Sequence, residues 1–127
     1  MKFNSLIPEL SVSDINKSKE FYLKLGFKIK YERIEDKFIF LELEGNQIMI
    51  QEENDTWNVG DMEYPYGRGI NISMSINDVE KMYNELKDKI KMFRELEVHP
   101  YRVNDKVYED KEFLVQDPDG YLLRFND

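Results

Sequence analysis

The sequence predicts an α+β fold made of two copies of a strand–helix–strands unit. Residues 11–15 (Ser-Val-Ser-Asp-Ile) match residues 75–79 (Ser-Ile-Asn-Asp-Val) at an offset of 75 − 11 = 64 positions. Later, a glycine follows a phenylalanine by seven positions in both Phe38–Gly45 and Phe113–Gly120, at an offset of 75. The second copy therefore carries an insertion of 75 − 64 = 11 residues. Self-similarity of this kind indicates an internally duplicated fold.

The first copy begins with apolar and polar residues in alternation over residues 6–12, which predicts a strand with Leu6, Leu10 and Val12 on its dry face. Asp14 is a suitable N-cap for a helix near residues 14–25, and Gly26 stands where a C-cap glycine belongs. Three strands follow, with a hairpin turn at residues 44–46. They are expected near residues 27–32, 37–43 and 47–51.

The second copy restarts at residues 70–76, where every odd-numbered position is polar. Asp78 predicts the cap of a second helix, whose apolar face runs from Val79 to Ile90. The stretch Asp117–Gly120 is predicted to be a turn, because Pro118 fixes φ and glycine tolerates positive φ.

These limits predict a single domain of 127 residues with two modules. Module one covers about residues 1–55, a connection covers about 56–69, and module two covers about 70–127. Long ordered connections of this kind are usually functional or join modules.

Strand alternation also defines a second sheet face, opposite the helices. It mixes small polar groups with a few charged ones, which indicates either a solvated face or a ligand cleft. We favour a cleft, because serine and asparagine leave room for a ligand. The face contains Glu9, Ser11, Gln47, Met49, Gln51, Asn71, Ser73, Ser75, Leu122 and Arg124.

Charge and residue composition exclude several classes of ligand and of catalytic site. Acidic residues exceed basic ones by 26 to 18, a net charge of −8, which disfavours nucleic acid and anionic membranes and favours cationic ligands. There is no cysteine and one histidine, His99, so disulfides, thiolate chemistry and sites with two imidazoles are excluded within one chain. Without a membrane-spanning run or a signal-peptide pattern, we expect a cytoplasmic protein.

Four motifs occur in order along nearly the whole chain: Leu10–Asp14, Lys19–Tyr22 with Leu25–Phe27, Gly67–Asn71 and Asp117–Phe125. Together they resemble the vicinal oxygen chelate superfamily, which includes glyoxalase I, extradiol dioxygenases and bleomycin resistance proteins. The resemblance implies two βαβββ modules whose sheets form an open, barrel-like cleft, usually in a homodimer.

Enzymes of this superfamily hold a divalent metal at four strand positions. The resemblance places those positions near Ile7, Gln51, Asn71 and Arg124. Isoleucine offers no donor atom, and the arginine brings a positive charge where the enzymes have a glutamate. We therefore expect no metal and no other cofactor.

Bleomycin resistance proteins also lack the metal ligands, so the resemblance favours a metal-independent binding protein. Such a protein would sequester a cationic, aromatic-bearing small molecule in a dimer cleft. The candidate ligand-binding residues are Phe38, Phe40, Glu42, Gln51, Trp57, Asn71, Tyr101 and Arg124. Two alternatives stay open: a lyase or dioxygenase with a relocated metal on Glu9, Gln51 or Glu42, and a binder of an unrelated metabolite.

Three aromatic residues and the histidine allow more than one interpretation. Trp57 either anchors its own loop or stacks on a ligand. Tyr101 and Tyr108, in the insertion, cover the cleft or pack at a dimer surface. His99 is expected in a loop, where a lone histidine is seldom a catalytic base.

Overall fold

The computed structural model describes all residues, Met1–Asp127, and contains two units of the same topology. Their strand orders are β1-β4-β3-β2 and β5-β8-β7-β6, each with one helix inserted after the first strand. The predicted fold class, α+β with two βαβββ modules, is confirmed. The elements are β1 (Glu9–Val12), α1 (Ile15–Leu25), β2 (Lys28–Arg33), a 3-10 turn η1 (Ile34–Asp36), β3 (Phe38–Leu43), β4 (Asn46–Glu52), β5 (Asn71–Ser75), α2 (Val79–Leu86), β6 (Arg94–Val103), β7 (Lys106–Gln116) and β8 (Leu122–Asn126).

Helix α1 begins and ends at the predicted caps. The Asp14 carboxylate accepts the amides of Asn16 at 3.0 Å and Lys17 at 3.2 Å, which satisfies two of the free N–H groups of the first turn. Gly26 has φ 111°, a left-handed conformation that glycine adopts without a Cβ penalty. The face that α1 buries carries Ser18, Tyr22 and Leu25.

The first sheet pairs β1 with β4 in parallel and the other neighbours antiparallel. Ile39, Leu41, Ile48 and Ile50 are at most 2% exposed and lie on the side of the sheet that α1 covers. Strand β3 is buried on both faces from Phe38 to Leu41, as its uninterrupted apolar run predicts. Leu6 was wrongly assigned to the dry face, because it precedes the strand and is 80% exposed.

The first unit consists of Met1–Tyr66 together with the turn Asp117–Gly120. The Tyr22 hydroxyl donates to Asp117 Oδ2 at 2.8 Å, and the Ser13 amide donates to Asp119 Oδ2 at 3.0 Å. Both aspartates are buried, and the Gly120 amide closes the turn on the Asp117 carbonyl at 2.9 Å. The turn prediction is confirmed, and its carboxylates serve as acceptors inside the first unit.

The second unit consists of Gly67–Gln116 and Tyr121–Asp127. Its helix α2 is capped by Asp78, as predicted, and buries Val79, Met82 and Leu86. The helix ends at Leu86, so Ile90 lies beyond it and not on its apolar face as expected. With 11 and 8 residues, neither helix of the chain has the length and apolar character needed to cross a membrane.

The insertion in the second copy belongs to a long antiparallel hairpin formed by β6, of 10 residues, and β7, of 11 residues. The chain turns at Asn104, whose φ is 57°, a left-handed value that asparagine tolerates better than most residues. β8 pairs with β7 from Glu112 to Gln116, and beyond that range the hairpin strands pair only with each other. His99 and Tyr101 therefore lie in a strand, which corrects the loop expected from the sequence.

Candidate functional site

Four of the predicted ligand-binding residues share the face of the first sheet that points away from α1. Phe38, Phe40 and Glu42 follow one another at intervals of two on β3, and Phe38 pairs with Gln51 of β4. Because successive side chains alternate between the faces of a strand, these four project to the same side. We call this surface the first-unit polar face.

The two phenylalanines of this face are covered by the chain's own side chains. Phe40 is 1% exposed and lies between Tyr31, stacked at a centroid distance of 5.3 Å, and Phe3, in edge contact at 5.4 Å. Phe38 is 3% exposed, and the Arg33 guanidinium carbon lies 4.1 Å from its ring centroid, in cation–π contact. A ligand on this face therefore meets Tyr31, Phe3 and Arg33 before it meets either phenylalanine.

Glu42 is already engaged. Its Oε2 accepts a hydrogen bond from Gln47 Nε2 at 2.8 Å, and its Oε1 lies 3.5 Å from Lys30 Nζ. The Gln47 hydrogen bond, with help from the Lys30 charge, lowers the pKa of Glu42 below its usual value. The carboxylate is thus ionised at neutral pH and partly compensated by a lysine.

Gln51 of β4 is hydrogen-bonded to Trp57, which lies in the long connection near residues 56–69. Its Nε2 donates to the Asp36 carbonyl at 3.2 Å, and its Oε1 accepts the indole N–H of Trp57 at 3.4 Å. Trp57 is 60% exposed. The indole is therefore tethered at its nitrogen while its ring faces solvent, a geometry that leaves the ring available for stacking.

Asn71 and Arg124 lie on the equivalent surface of the second sheet, the second-unit polar face. Asn71 is exposed and pairs with Leu122 of β8, two residues before Arg124 on the same side. Arg124 Nε lies 3.3 Å from Oε1 of Glu112, whose side chain is only 10% exposed. The N–H does not point at this oxygen, so the contact is an ion pair without a well-formed hydrogen bond.

A pair of carboxylates occupies the same face next to the arginine. Asp110 and Glu112 are two residues apart on β7 and project to one side. Burial first, and then the nearby negative charges of Glu112 and Asp127, raise the pKa of Asp110 above its usual value, although Arg124 acts in the opposite direction. This part of the face therefore holds more negative charge than Arg124 neutralises.

The predicted residue Tyr101 continues this face along the hairpin. It pairs with Tyr108, and the two rings stack at a centroid distance of 5.5 Å with 49% and 43% of each residue exposed. His99 pairs with Asp110, one step closer to the carboxylates, and its Nε2 lies 3.0 Å from Glu97 Oε2. The structure thus places an exposed aromatic pair two residues from an under-neutralised acidic pair.

Sequence reasoning missed four residues of these faces: Tyr31, Arg33, Asp110 and Glu112. The signal for the first two was the clean alternation of β2, which puts them on the same side as the β3 phenylalanines once the strands are paired. No comparable signal marked Asp110 and Glu112, because they lie in the insertion, whose pairing partner was not assigned.

The sequence of this chain matches the family model of the Glyoxalase/Bleomycin resistance protein/Dioxygenase superfamily over residues 3–125. The chain belongs to this superfamily. Among solved structures, a protein of unknown function from Agrobacterium tumefaciens is 28% identical, with a TM-score of 0.69, over 99% of this chain and 93% of that one.

Two further solved structures share the fold at lower sequence identity. TioX from Micromonospora sp. ML1 is 15% identical, with a TM-score of 0.74, over 98% of both chains. A bleomycin-binding protein complexed with bleomycin is 18% identical, with a TM-score of 0.67, over 98% of both chains. Among curated proteins, none matches this chain.

The residues at the superfamily's metal positions do not suit a divalent cation. Ile7 has no donor atom, both polar ends of the Gln51 amide are hydrogen-bonded within the first unit, and Arg124 is itself a cation paired with Glu112. The structure contains no group of three or more histidine, aspartate or glutamate side chains that is arranged to hold a metal ion.

Proposed function

We propose that this protein is a metal-independent small-molecule binding protein of the bleomycin-resistance type. It sequesters a cationic ligand that carries an aromatic group, and it does so as a homodimer. A cell that produces it would tolerate higher concentrations of such a drug. The predicted ligand-binding residues are Phe38, Phe40, Glu42, Gln51, Trp57, Asn71, Tyr101 and Arg124.

The observation that carries this proposal is the second-unit polar face, where the exposed Tyr101–Tyr108 stack lies next to Asp110 and Glu112. Tyrosine faces attract cations through their quadrupole and stack on flat aromatic groups. Burial first, and then the neighbouring negative charges, raise the pKa of Asp110, so its ionised form is poorly stabilised at this position. A ligand cation supplies positive charge and relieves the repulsion between the two carboxylates.

The first-unit polar face supports the same ligand class. Trp57 offers an exposed indole held in place by Gln51, and Glu42 adds an ionised carboxylate. The net charge of −8 attracts cations from solution at low ionic strength. The structural neighbour solved with bleomycin shares the fold and gives a concrete first ligand to test.

The experiment is a titration of the full chain with metal-free bleomycin, followed by calorimetry and by the fluorescence of Trp57, the single tryptophan. We expect a saturable heat and a saturable change in fluorescence. Light scattering of the same sample should give a particle of twice the chain mass. Absence of both the heat and the fluorescence change refutes the bleomycin assignment, and a monomer in the presence of ligand refutes the dimer.

The charge argument has its own test in Asp110→Asn. We expect this variant to bind the cation about two- to tenfold more weakly, because one carboxylate is lost. Asp105→Asn, which removes the same charge at the exposed turn of the hairpin, should bind like the wild type. Equal losses in the two variants would show that only net charge matters and that Asp110 is not at the site.

The pH dependence follows from the sign of the Asp110 shift. A cation binds the ionised carboxylate better, so the affinity should fall as the pH is lowered through the raised pKa of Asp110. The Asp110→Asn protein should show a flatter profile over the same range. An affinity of the wild type that is constant over this range contradicts the proposal.

Metal analysis distinguishes this proposal from the alternative of a metal-dependent lyase or dioxygenase. After dialysis, incubation with nickel, zinc or manganese should leave no stoichiometric ion on the protein. An ion retained in the wild type and lost in Glu9→Gln or Gln51→Ala would replace the sequestration proposal with the relocated metal site.

A further inference from the structure

The segment that precedes β1 lies against the first-unit polar face without forming a helix or a strand. Residues 1–6 are all exposed, and β1 begins only at Glu9. We call residues 2–4 the strap. The strap contacts Phe40 of β3 and Gln47 of β4, and Gln47 pairs with Glu42, so it lies on the same side of the sheet as Phe40. The chain therefore covers part of its own candidate ligand surface.

The aromatic side chain of the strap, Phe3, packs on the buried ring of Phe40. The two rings meet edge-on, with centroids 5.4 Å apart and planes at 81°, while Tyr31 stacks on Phe40 from another side at 5.3 Å. Both arrangements are ones that aromatic pairs prefer. Phe40 is 1% exposed, whereas Phe3 is 54% exposed. Phe3 thus occupies a position that suits an aromatic group, with half of its own surface still in water.

The backbone of the strap is held mainly by one side chain. Gln47 Oε1 accepts the Asn4 amide at 2.8 Å, and Gln47 Nε2 donates to the Lys2 carbonyl at 2.8 Å. Asn4 Nδ2 adds a bond to the Gly45 carbonyl, also at 2.8 Å. Lys2 and Asn4 are exposed, so water replaces these partners when the strap moves away, and such bonds contribute little net stability.

The sheet does not need the strap to keep its own hydrogen bonds. Gln47 Nε2 carries two protons, and it also donates to Glu42 Oε2 at 2.8 Å, a bond that does not involve the strap. Beyond the strap, the Met49 amide donates to the Pro8 carbonyl at 2.9 Å. Residues 2–4 can therefore leave the face while the segment stays attached to β4 at Pro8.

From these contacts we infer that Phe40 forms an aromatic subsite, that Phe3 occupies it in the free protein, and that the aromatic group of the ligand displaces Phe3. This inference rests on the proposed function, because it names the part of the first-unit polar face that receives the ring of the ligand. A site that is closed by its own chain binds with an affinity reduced by the fraction of open molecules. Phe3 is therefore a specificity-determining residue that sets this fraction.

The test is a titration of the ¹⁵N-labelled full chain with benzylamine, a small molecule that combines a ring with an ammonium group, followed by chemical shifts. In the wild type we expect saturable shifts at the amide of Phe40 and at the side-chain amide of Gln47. The heteronuclear NOE of Phe3 and Asn4 should fall at saturation, because the displaced strap becomes mobile. Phe3→Ala should bind benzylamine about two- to tenfold more tightly, since the competing aromatic contact is gone.

Two further variants keep this test sharp. Asn4→Ala retains Phe3 but loses the bond to the Gly45 carbonyl, so its affinity should rise in the same direction and by less. Leu6→Ala is the matched control, because it removes another apolar side chain of the same segment, 80% exposed and outside the strap, and it should bind like the wild type.

Weaker or unchanged binding in Phe3→Ala, or an equal gain in Leu6→Ala, would overturn the inference. Non-saturable shifts in every protein, or shifts confined to the second-unit polar face, would do the same.

A parallel titration with bleomycin, followed by Trp57 fluorescence, separates this inference from the proposed function. If bleomycin binds the wild type and Phe3→Ala equally, the subsite is wrong and the proposed function stands. If neither protein binds bleomycin but Phe3→Ala gains affinity for benzylamine, the bleomycin assignment fails and the subsite stands.

Discussion

Replacing Tyr22 by phenylalanine removes one hydroxyl from the interior of the first unit. That hydroxyl donates to Asp117 Oδ2 at 2.8 Å, and the two residues are 0% and 3% exposed, so water cannot take its place. The ring contacts with Phe21 and Phe27 persist, because phenylalanine keeps the ring. A hydrogen bond to a charged group contributes about 1.5–3 kcal/mol, so we expect the free energy of unfolding of Tyr22→Phe to be lower by about 2 kcal/mol.

Urea denaturation measures this free energy, and thermal unfolding should show a melting temperature lower by roughly 5–10 °C. Tyr101→Phe is the matched control, since Tyr101 is half exposed, and its effect should stay within about 0.5 kcal/mol. In an Asp117→Asn background the Tyr22→Phe change should cost less, because the charged acceptor is gone. A Tyr22→Phe protein as stable as the control would refute the assignment of Asp117 as a buried acceptor.

Two further predictions concern backbone positions and charge. Gly120→Ala should lower the free energy of unfolding in urea by about 1–3 kcal/mol, because Gly120 has φ 96° and an added Cβ would lie 2.5 Å from Pro65 Cβ. Gly45→Ala is the control: Gly45 also has a positive φ, but an added Cβ meets no atom within 4 Å, so the loss of stability should be smaller. Glu52→Gln should cost about 1 kcal/mol at pH 7, because Glu52 Oε2 accepts the first amide of α1 from Ile15. The Ile15 amide, and then Lys37, lower the pKa of Glu52, so the stability it contributes is present above its unfolded pKa and is lost as the pH falls through the lower folded value. The difference between wild type and Glu52→Gln should therefore shrink in acid, and a constant difference would contradict this role.

The fold was predictable because local signals and the repeat agreed. Asp14, Gly26 and Asp78 were predicted as caps from residue type and position alone, and all three cap their helices or end them as expected. In β1, alternation correctly predicted that Leu10 and Val12 are buried, whereas Ile70, expected on the dry face at the start of the second copy, precedes β5 and is 63% exposed. Leu6 failed because it lies before the strand begins, where no sheet neighbour exists to cover it.

The candidate site was predictable only in part, because its chemistry depends on strand pairing. Alternation within a single strand was enough to predict on which face of the sheet Phe38, Phe40 and Gln51 lie. The stacking of Arg33 on Phe38 requires β2 to pair with β3, and the repulsion between Asp110 and Glu112 depends on burial. His99 was expected in a loop but lies in β6, an edge strand of its sheet, where a proline such as Pro100 is tolerated.

The non-contiguous makeup of the first unit has a consequence for biosynthesis. A ribosome that has made only residues 1–66 has produced a Tyr22 hydroxyl and a Ser13 amide without their acceptors, since Asp117 and Asp119 are about fifty residues further on. The first unit can therefore be completed only after most of the second module has been synthesised. If the chain is cut between the two halves, we expect the separate fragments to regain the native structure only when they are mixed.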